Sequence, residues 1–528
     1  MEYRNEGVLI GGAGGFWGDI TLAPLEMLKN SDMDYLTMDY LAEVTMSIMH
    51  KQREREIEAG WATDLEIWLR AGGMELLQKK GVKLVTNAGG ANPLSCVNRV
   101  LRAASAIGWT ECKVATITGD DIGNKLSVLS GTGEPFLHMF DHRKGGLLEH
   151  ENSIVAANAY IGASGIGRAL EQGADIVITG RVADASLIVG CMVHASGWAK
   201  NGSELEISTP LWEWAPASVL SPLDVLAGWT IAGHLIECGA QVCGGNSSDW
   251  KDVPNMDDLS YPIAIVQNDG ASIITKSRGI GGMVTKRTVA EQLLYEIGDP
   301  NCYHTPDVSV DLTEITLTEI GLDHVLVKGA KGIMPPASLK VSACHRDGWM
   351  STGSLMVPGP DAMSKAIALD AAMRGRLGDI SGINIETEFL GAQALTPPGL
   401  RKEIMVNEVV VRWAISSPNK AKLTHFSRSI APLVLTGPPG VTGFGARPRP
   451  RELLRFFPTT IRRILIEPQI NITLLQTWRS ELEERIPWLE EKIISRLEIL
   501  KGDDNRLIRA RIAERILNKL KDSRVVKL

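Results

Sequence analysis

Five short apolar runs, each followed by a stretch of helix-like sequence, constrain the fold of this chain more than any other feature. The runs lie at residues 8–10, 35–39, 82–85, 114–117 and 175–178, and helix-like segments such as 41–60 and 92–108 separate them. Strands spaced by helices of that length imply βαβ units and a parallel sheet, which places the chain in the α/β class. In such sheets ligands bind in the crevice outside the carboxyl ends of the strands. The polar or Gly-rich loops at 11–18, 87–93, 118–121 and 179–184 follow the runs and are therefore the default place to look for a site.

Beyond this region the pattern changes. Asn201-Gly202-Ser203 and then Pro210, Pro216 and Pro222 interrupt the periodicity, so residues 1–205 are expected to form one α/β domain. From 206 to 460 a helix-like segment (289–298) mixes with β-rich runs (263–266, 308–317 and 408–414), a second α/β or α+β region. Residues 470–528 read as a C-terminal helical hairpin: Leu482, Ile486, Leu489, Ile493, Leu497 and Leu500 recur at helical spacing, Gly502 breaks the pattern, and Leu507 to Leu520 resume it. Such a stripe must be covered, either by the chain's own body or by a second copy in a homo-oligomer.

With 528 residues, 44% hydrophobic and 22% charged, the chain can bury several cores, and its composition is that of a globular protein. A formal net charge of -7 gives no support to nucleic-acid binding. Seven cysteines without a dense framework suggest a reducing, cytoplasmic compartment. The opening residues lack signal-peptide character, and no apolar run of about eighteen residues points to a membrane span.

Two segments are rich in groups that could carry chemistry. After the first run, Gly12, Gly15 and Gly18 satisfy GxxGxxG, a spacing that lets backbone amides approach an anion, and Asp39 stands where a nucleotide ribose would be held. A short-chain dehydrogenase would also carry Tyr-x-x-x-Lys, yet none of the seven tyrosines has a lysine four residues later. In the second segment, helical spacing would put His234 and Glu237 on one face with Cys238 beside them, a candidate acid/base pair and a candidate nucleophile. The following Gly244-Gly245-Asn246 could present amides to an oxyanion. Asp39 with Glu43, Asn87, and Arg181 with Asp184 stand at strand ends, where polar groups can meet a substrate, although ion pairing and capping are the plainer alternative. Arg447, Arg449 and Arg451 could grip a phosphate or carboxylate. His138, Asp141 and His142 have a spacing that would suit zinc on a helix, but their basic surroundings suit an exposed turn better, and no metal site is expected.

Several strings together resemble the acyclic terpene utilisation (AtuA) family of bacteria and fungi. They are GGAGGFWGD at 11–19, DYLAEVTM at 39–46, TNAGGANP at 86–93, TGRVADAS at 179–186, GHLIECGAQ at 233–241, QLLYEIGDP at 292–300 continuing through Tyr303 to TPDV at 305–308, and GPPGVTGFG at 437–445. The resemblance runs from about residue 7 to about 460 and implies a role in growth on citronellol or geraniol through branched acyl-CoA intermediates. Many members carry, or are encoded beside, a small ferredoxin-like domain. The tail here departs from that pattern, so the resemblance implies a separate small partner subunit.

The expected activity is catabolic: an enzyme acting on a small organic acid or its acyl-CoA thioester by lyase, hydratase or hydrolase chemistry, with coenzyme A entering as part of the substrate. His234, Glu237, Cys238, Asp184 and Glu43 would be catalytic. Gly12, Gly15, Gly18, Asp39, Asn87, Arg181, Asn246 and Arg447 would bind substrate. The alternatives are an NAD(P)-dependent dehydrogenase using the Gly12–Gly18 loop, and a non-catalytic scaffold of a catabolic complex.

Overall fold

The computed structural model describes residues 7–400, 405–443 and 445–480. These form two compact units. Of the described residues, the larger unit holds 7–148, Ala156–Ala343 and 458–480, and the smaller holds Glu149–Val155 and Cys344–Phe457. The units do not part near residue 205, because strands from beyond that point continue the first sheet.

That sheet has ten strands: β1 (Val8–Gly12), β2 (Tyr35–Met38), β3 (Lys83–Thr86), β4 (Lys113–Thr118), β5 (Ile176–Thr179), β6 (Pro262–Val266), β7 (Ser272–Lys276), β8 (Thr316–Gly321), β9 (His324–Lys328) and β10 (Gln469–Leu474). Their spatial order is β8-β9-β7-β6-β1-β2-β3-β5-β4-β10. The five apolar runs supply the central parallel strands β1, β2, β3, β5 and β4. The flanking strands are antiparallel: β6 pairs with β1 through Gly11 opposite Ile263, and β10 pairs with β4. The chain is thus mixed α/β. Both β2 and β5 are buried along their whole length, as a parallel sheet covered on both faces requires.

Two groups of helices cover the sheet. Ala23–Asn30 packs on Met74–Lys80, Pro93–Ala106 packs on the helical turns Asp64–Trp68 and Leu69–Gly73, and all of them join a core that includes Leu36, Trp68, Leu84 and Val100. Pro93–Ala106 starts where sequence rules put it, with Asn92 accepting from the Ser95 N–H and proline in the first turn. The second group contains Ser164–Glu171, Ser186–Ala195, Pro222–Ile236 and Lys286–Leu294. Every residue of Pro222–Ile236 from Val225 onward is buried. A helix buried on all sides shows no polar stripe, so its sequence signals burial rather than amphipathic periodicity.

In the smaller unit, Glu408–Ser417 pairs antiparallel with Asn384–Leu390 and with Trp349–Pro358 of a long strand. Helices Ala362–Leu377 and Lys420–Ile430 pack there around Leu369, Met373, Trp413 and Phe426. Asp370 accepts from Trp413 Nε1 and Thr387 Oγ1, both at 2.8 Å.

The tail departs from expectation at its start. Residues 469–474 are strand β10 rather than helix, because alternate residues of this run lie on an edge that β4 leaves open. The hairpin expected over 482–520 lies outside the described residues. No helix among the described residues is long and apolar enough to cross a membrane.

Candidate active site

The last turn of Pro222–Ile236 carries His234, and the next residue beyond that helix is Glu237. Their side chains are 3% and 9% exposed, and His234 Nδ1 lies 3.0 Å from Glu237 Oε1. Gln292 fixes the turn by donating from Nε2 to the His234 carbonyl at 3.1 Å, and the Tyr303 ring lies 5.4 Å from the imidazole, centre to centre. His234 Nε2 and Glu237 Oε2 have no hydrogen-bond partner among the described residues. The pair lines a cavity of about 450 Å³ within the larger unit, together with Glu43, Tyr160, Asp184 and Lys340.

Burial pushes the Glu237 carboxyl up, and its bond to His234 only partly offsets this. For His234 burial works downward, but the hydrogen bond and charge of Glu237 outweigh it, so the imidazole is raised. A simple ion pair would raise the histidine and lower the glutamate. Both directions follow instead from one proton held between the two groups, whose loss leaves an uncompensated buried carboxylate. The pair is a hydrogen-bonded imidazole–carboxyl couple facing a cavity.

A second cluster forms where the loops after β2 and β5 meet. Arg181, 1% exposed, donates through its guanidinium to the Leu41 carbonyl and to the Asp184 carboxylate. Its backbone N–H donates to Asp120 at 2.8 Å, and burial pushes that carboxyl up to about 6. The guanidinium lies 4.1 Å from the centre of the Tyr160 ring, and Lys340 Nζ lies 4.7 Å from the same centre. Tyr160 therefore bridges two cations through its ring. Lys340 also donates to Glu43 at 2.9 Å; burial works upward on Glu43, but the lysine outweighs it and holds the carboxyl below its usual range. The cavity lining carries Glu43 paired with Lys340, Asp184 paired with the buried Arg181 behind it, the Glu237–His234 pair, and the carboxylate of Glu296.

Asp39 and Asn87 lie beneath this cluster rather than in the cavity lining. Asn87 Nδ2 donates to Asp39 at 2.6 Å, Asn87 Oδ1 accepts from the Tyr40 N–H at 2.7 Å, and Asp39 accepts from the Leu41 N–H at 3.0 Å. Burial, and then the charge of Asp184, push Asp39 up against the opposing influence of Arg181. These two residues set the loop whose Leu41 carbonyl receives Arg181, so they position the site.

The glycine loop is not the anion cradle its spacing suggests. A Cβ on Gly12 would stand 2.2 Å from the Ile236 carbonyl oxygen, and one on Gly15 would stand 2.8 Å from Cys238 backbone. These glycines let the loop pack against the end of Pro222–Ile236. Its amides are already used: Gly15 N–H donates to Asp19 at 2.9 Å, Gly18 N–H to Asp64 at 3.0 Å, and Ala13 N–H to the Thr37 carbonyl. Two aspartates thus occupy donors that a pyrophosphate would need, and Asp39 is turned inward to Asn87. Cys238 is not among the cavity-lining residues, and burial followed by the charge of Glu237 pushes its thiol up, away from the reactive thiolate. The amides of Gly244 and Gly245 donate to the Gln241 and Ala240 carbonyls, and Asn246 is exposed. Arg447 is exposed in the smaller unit. His138 Nδ1 accepts from the N–H groups of Phe140 and Asp141.

Tyr160, Lys340, Gln292 and Tyr303 complete the site, and of these Tyr160 and Lys340 lie outside every motif read from the sequence. Gln292 and Tyr303 stand within the family-like strings, whereas Tyr160 directly follows a short strand, Ile154–Ala159, that the apolar runs do not reveal.

The model of the family described as acyclic terpene utilisation family protein AtuA matches residues 8–206 and 207–472. No curated protein and no solved structure matches the chain.

Proposed function

The chain belongs to the acyclic terpene utilisation family, and from that premise we propose that it is an enzyme that moves a proton on a small organic acid presented as its acyl-CoA thioester, by lyase, hydratase or hydrolase chemistry. The observation that carries this reading is the buried His234–Glu237 pair at a cavity of about 450 Å³, with Nε2 and Oε2 unpaired among the described residues. A buried carboxyl with a raised pKa suits general acid/base work near neutral pH. The lining holds the carboxylates of Glu43, Asp184, Glu237 and Glu296, and its one lysine, Lys340, is already paired with Glu43, so the neutral thioester carbonyl fits better than the free acid. In this reading Glu237 takes or gives the proton, His234 stabilises the proton-bearing form of the pair, and Lys340 and Tyr160 face the carbonyl.

The test incubates the purified protein with a panel of saturated and unsaturated branched acyl-CoA esters and the matching free acids, followed by mass spectrometry. Consumption of a thioester by the wild type, and none by Glu237→Gln, is the expected result. Turnover by Glu237→Gln at the wild-type rate, or consumption of free acids alone, would overturn it.

A further inference from the structure

A second crevice opens in the larger unit, beside the loop that leads into β2, and nothing in the proposed chemistry uses it. It measures about 280 Å³, with Leu9, Ile263 and Ile265 from β1 and β6 in its lining. Lys29, Lys80, Lys276 and Arg278 line it, against the single carboxylate of Asp32. The carboxylates that answer Lys29 and Lys276, Glu26 at 2.9 Å and Asp323 at 3.7 Å, are not part of the lining.

Lys276 carries the argument. Its side chain is only 5% exposed, although burying an ammonium costs several kcal/mol unless its charge is answered. The Nζ donates to the Ile280 carbonyl at 2.7 Å and lies 3.5 Å from the Ser277 carbonyl, and its charge is answered only by the longer ion pair to Asp323 at 3.7 Å. Lys80 likewise donates to the Ser31 carbonyl at 3.1 Å and lies 3.7 Å from Asp32. Both ammonium groups are held in place by carbonyls, so they can meet an oxyanion without first being ordered. The aliphatic side chains beside them suit a hydrocarbon body.

We propose that this crevice binds a small amphiphilic monoanion, a short-chain carboxylate whose head meets Lys80, Lys276 and Arg278 and whose hydrocarbon body lies on Leu9, Ile263 and Ile265. The site is independent of the acid/base cavity. Bound there, a free acid would leave the thioester cavity unoccupied, so the protein would sense the acid without consuming it.

Isothermal titration calorimetry on the full chain tests this, with butanoate, its uncharged analogue butanamide, and inorganic phosphate as the probes. Butanoate is expected to bind saturably and more tightly than either analogue. A Lys29→Gln/Arg278→Gln double variant, which alters exposed side chains only, should weaken butanoate by about tenfold, the loss of one charge-assisted contact. Lys276→Met should abolish binding; if it unfolds, the double variant still decides. Butanamide or phosphate binding as tightly as butanoate, wild-type affinity in the double variant, or no binding at all would overturn the proposal. Binding lost in Glu237→Gln but kept in the crevice variants would assign butanoate to the other cavity and also overturn it. Failure of the acyl-CoA turnover assay leaves these outcomes unchanged, so the two proposals fail separately.

Discussion

The glycine loop after β1 and the His234–Glu237 cavity are both at chain segments that meet the end of Pro222–Ile236, yet they use that helix in opposite ways. The loop needs its glycines so that backbone can touch backbone: Gly12 faces the Ile236 carbonyl, and Gly15 faces Cys238. Its amide donors are spent on Asp19 and Asp64. The cavity keeps polar atoms without partners, on buried side chains with raised pKa values. The difference teaches that a glycine spacing reports how closely backbone can approach something, and leaves open whether that something is a ligand or the protein itself.

The most forceful way to break the distinction is at Glu237. If the cavity is where protons move, Glu237→Gln keeps the fold and lowers kcat by about 10²–10⁴-fold, the usual share of general acid/base catalysis. Steady-state kinetics on the responsive thioester, with circular dichroism as the fold control, measures this. Next comes the loop. Gly12→Ala forces a Cβ into the Ile236 carbonyl and should lower stability by about 3 kcal/mol, at the upper end of overpacking costs, read from urea unfolding. Saturable NADH binding to the wild type, detected by fluorescence, would contradict the packing role.

How far the two regions were legible from sequence follows from the same physics. The strands at 8–12, 35–38, 83–86, 113–118 and 176–179 were readable because fully buried parallel strands are continuous apolar runs. The His234–Glu237 pair was readable because both residues lie within one helical turn. Lys340 was not: it reaches Glu43 across 297 positions, and no local pattern encodes that meeting. Arg181 was placed at a strand end correctly, but its stacking on Tyr160 depends on two separate segments folding onto each other. Gly12, Gly15 and Gly18 were legible as a close approach and illegible as to the partner. The acid/base assignment of the family's chemistry rests on none of these glycines.

The pH dependence sharpens the cavity side. Folded Glu237 and His234 both hold their shared proton above the ordinary values, so the native state binds more protons than the unfolded chain. Stability from the pair is therefore fully present below the unfolded pKa values and is lost as pH rises through the folded ones, at up to about 1.4 kcal/mol per pH unit per proton. Over the same window the pair gives up its proton, so a base-dependent rate should rise. Urea unfolding and kcat followed across pH, wild type against Glu237→Gln, should show both trends in the wild type and neither in the variant. A wild type that gains stability over the variant as pH climbs through the ordinary glutamate range, and loses it only above the histidine range, would mean that the pair is a simple ion pair. On the loop side, Asp19→Asn weakens the acceptor for the Gly15 amide and the Tyr261 hydroxyl, a loss of about 1–2 kcal/mol in urea unfolding with kcat unchanged.

The smallest expected effect lies on the border between the two regions. Cys238 follows Glu237 directly in the chain, and its backbone is what Gly15 packs against. Burial holds its thiol protonated, and the neighbouring Glu237 charge pushes in the same direction. A nucleophilic thiolate would need a cation beside it, whereas the cations near the cavity are matched to Glu43 and Asp184. Cys238→Ala should therefore leave kcat/KM within about twofold, less than half a kcal/mol in the barrier, while trimming the half-buried sulfur lowers stability by about 1 kcal/mol. Kinetics and urea unfolding of the same preparation separate these outcomes. If the variant were inactive but stably folded, the thiol would belong to the reaction. The end of Pro222–Ile236 would then serve chemistry on both sides, and the division between a packing loop and a reacting cavity would fall. Retained activity with reduced stability places Cys238 on the loop's side of that division.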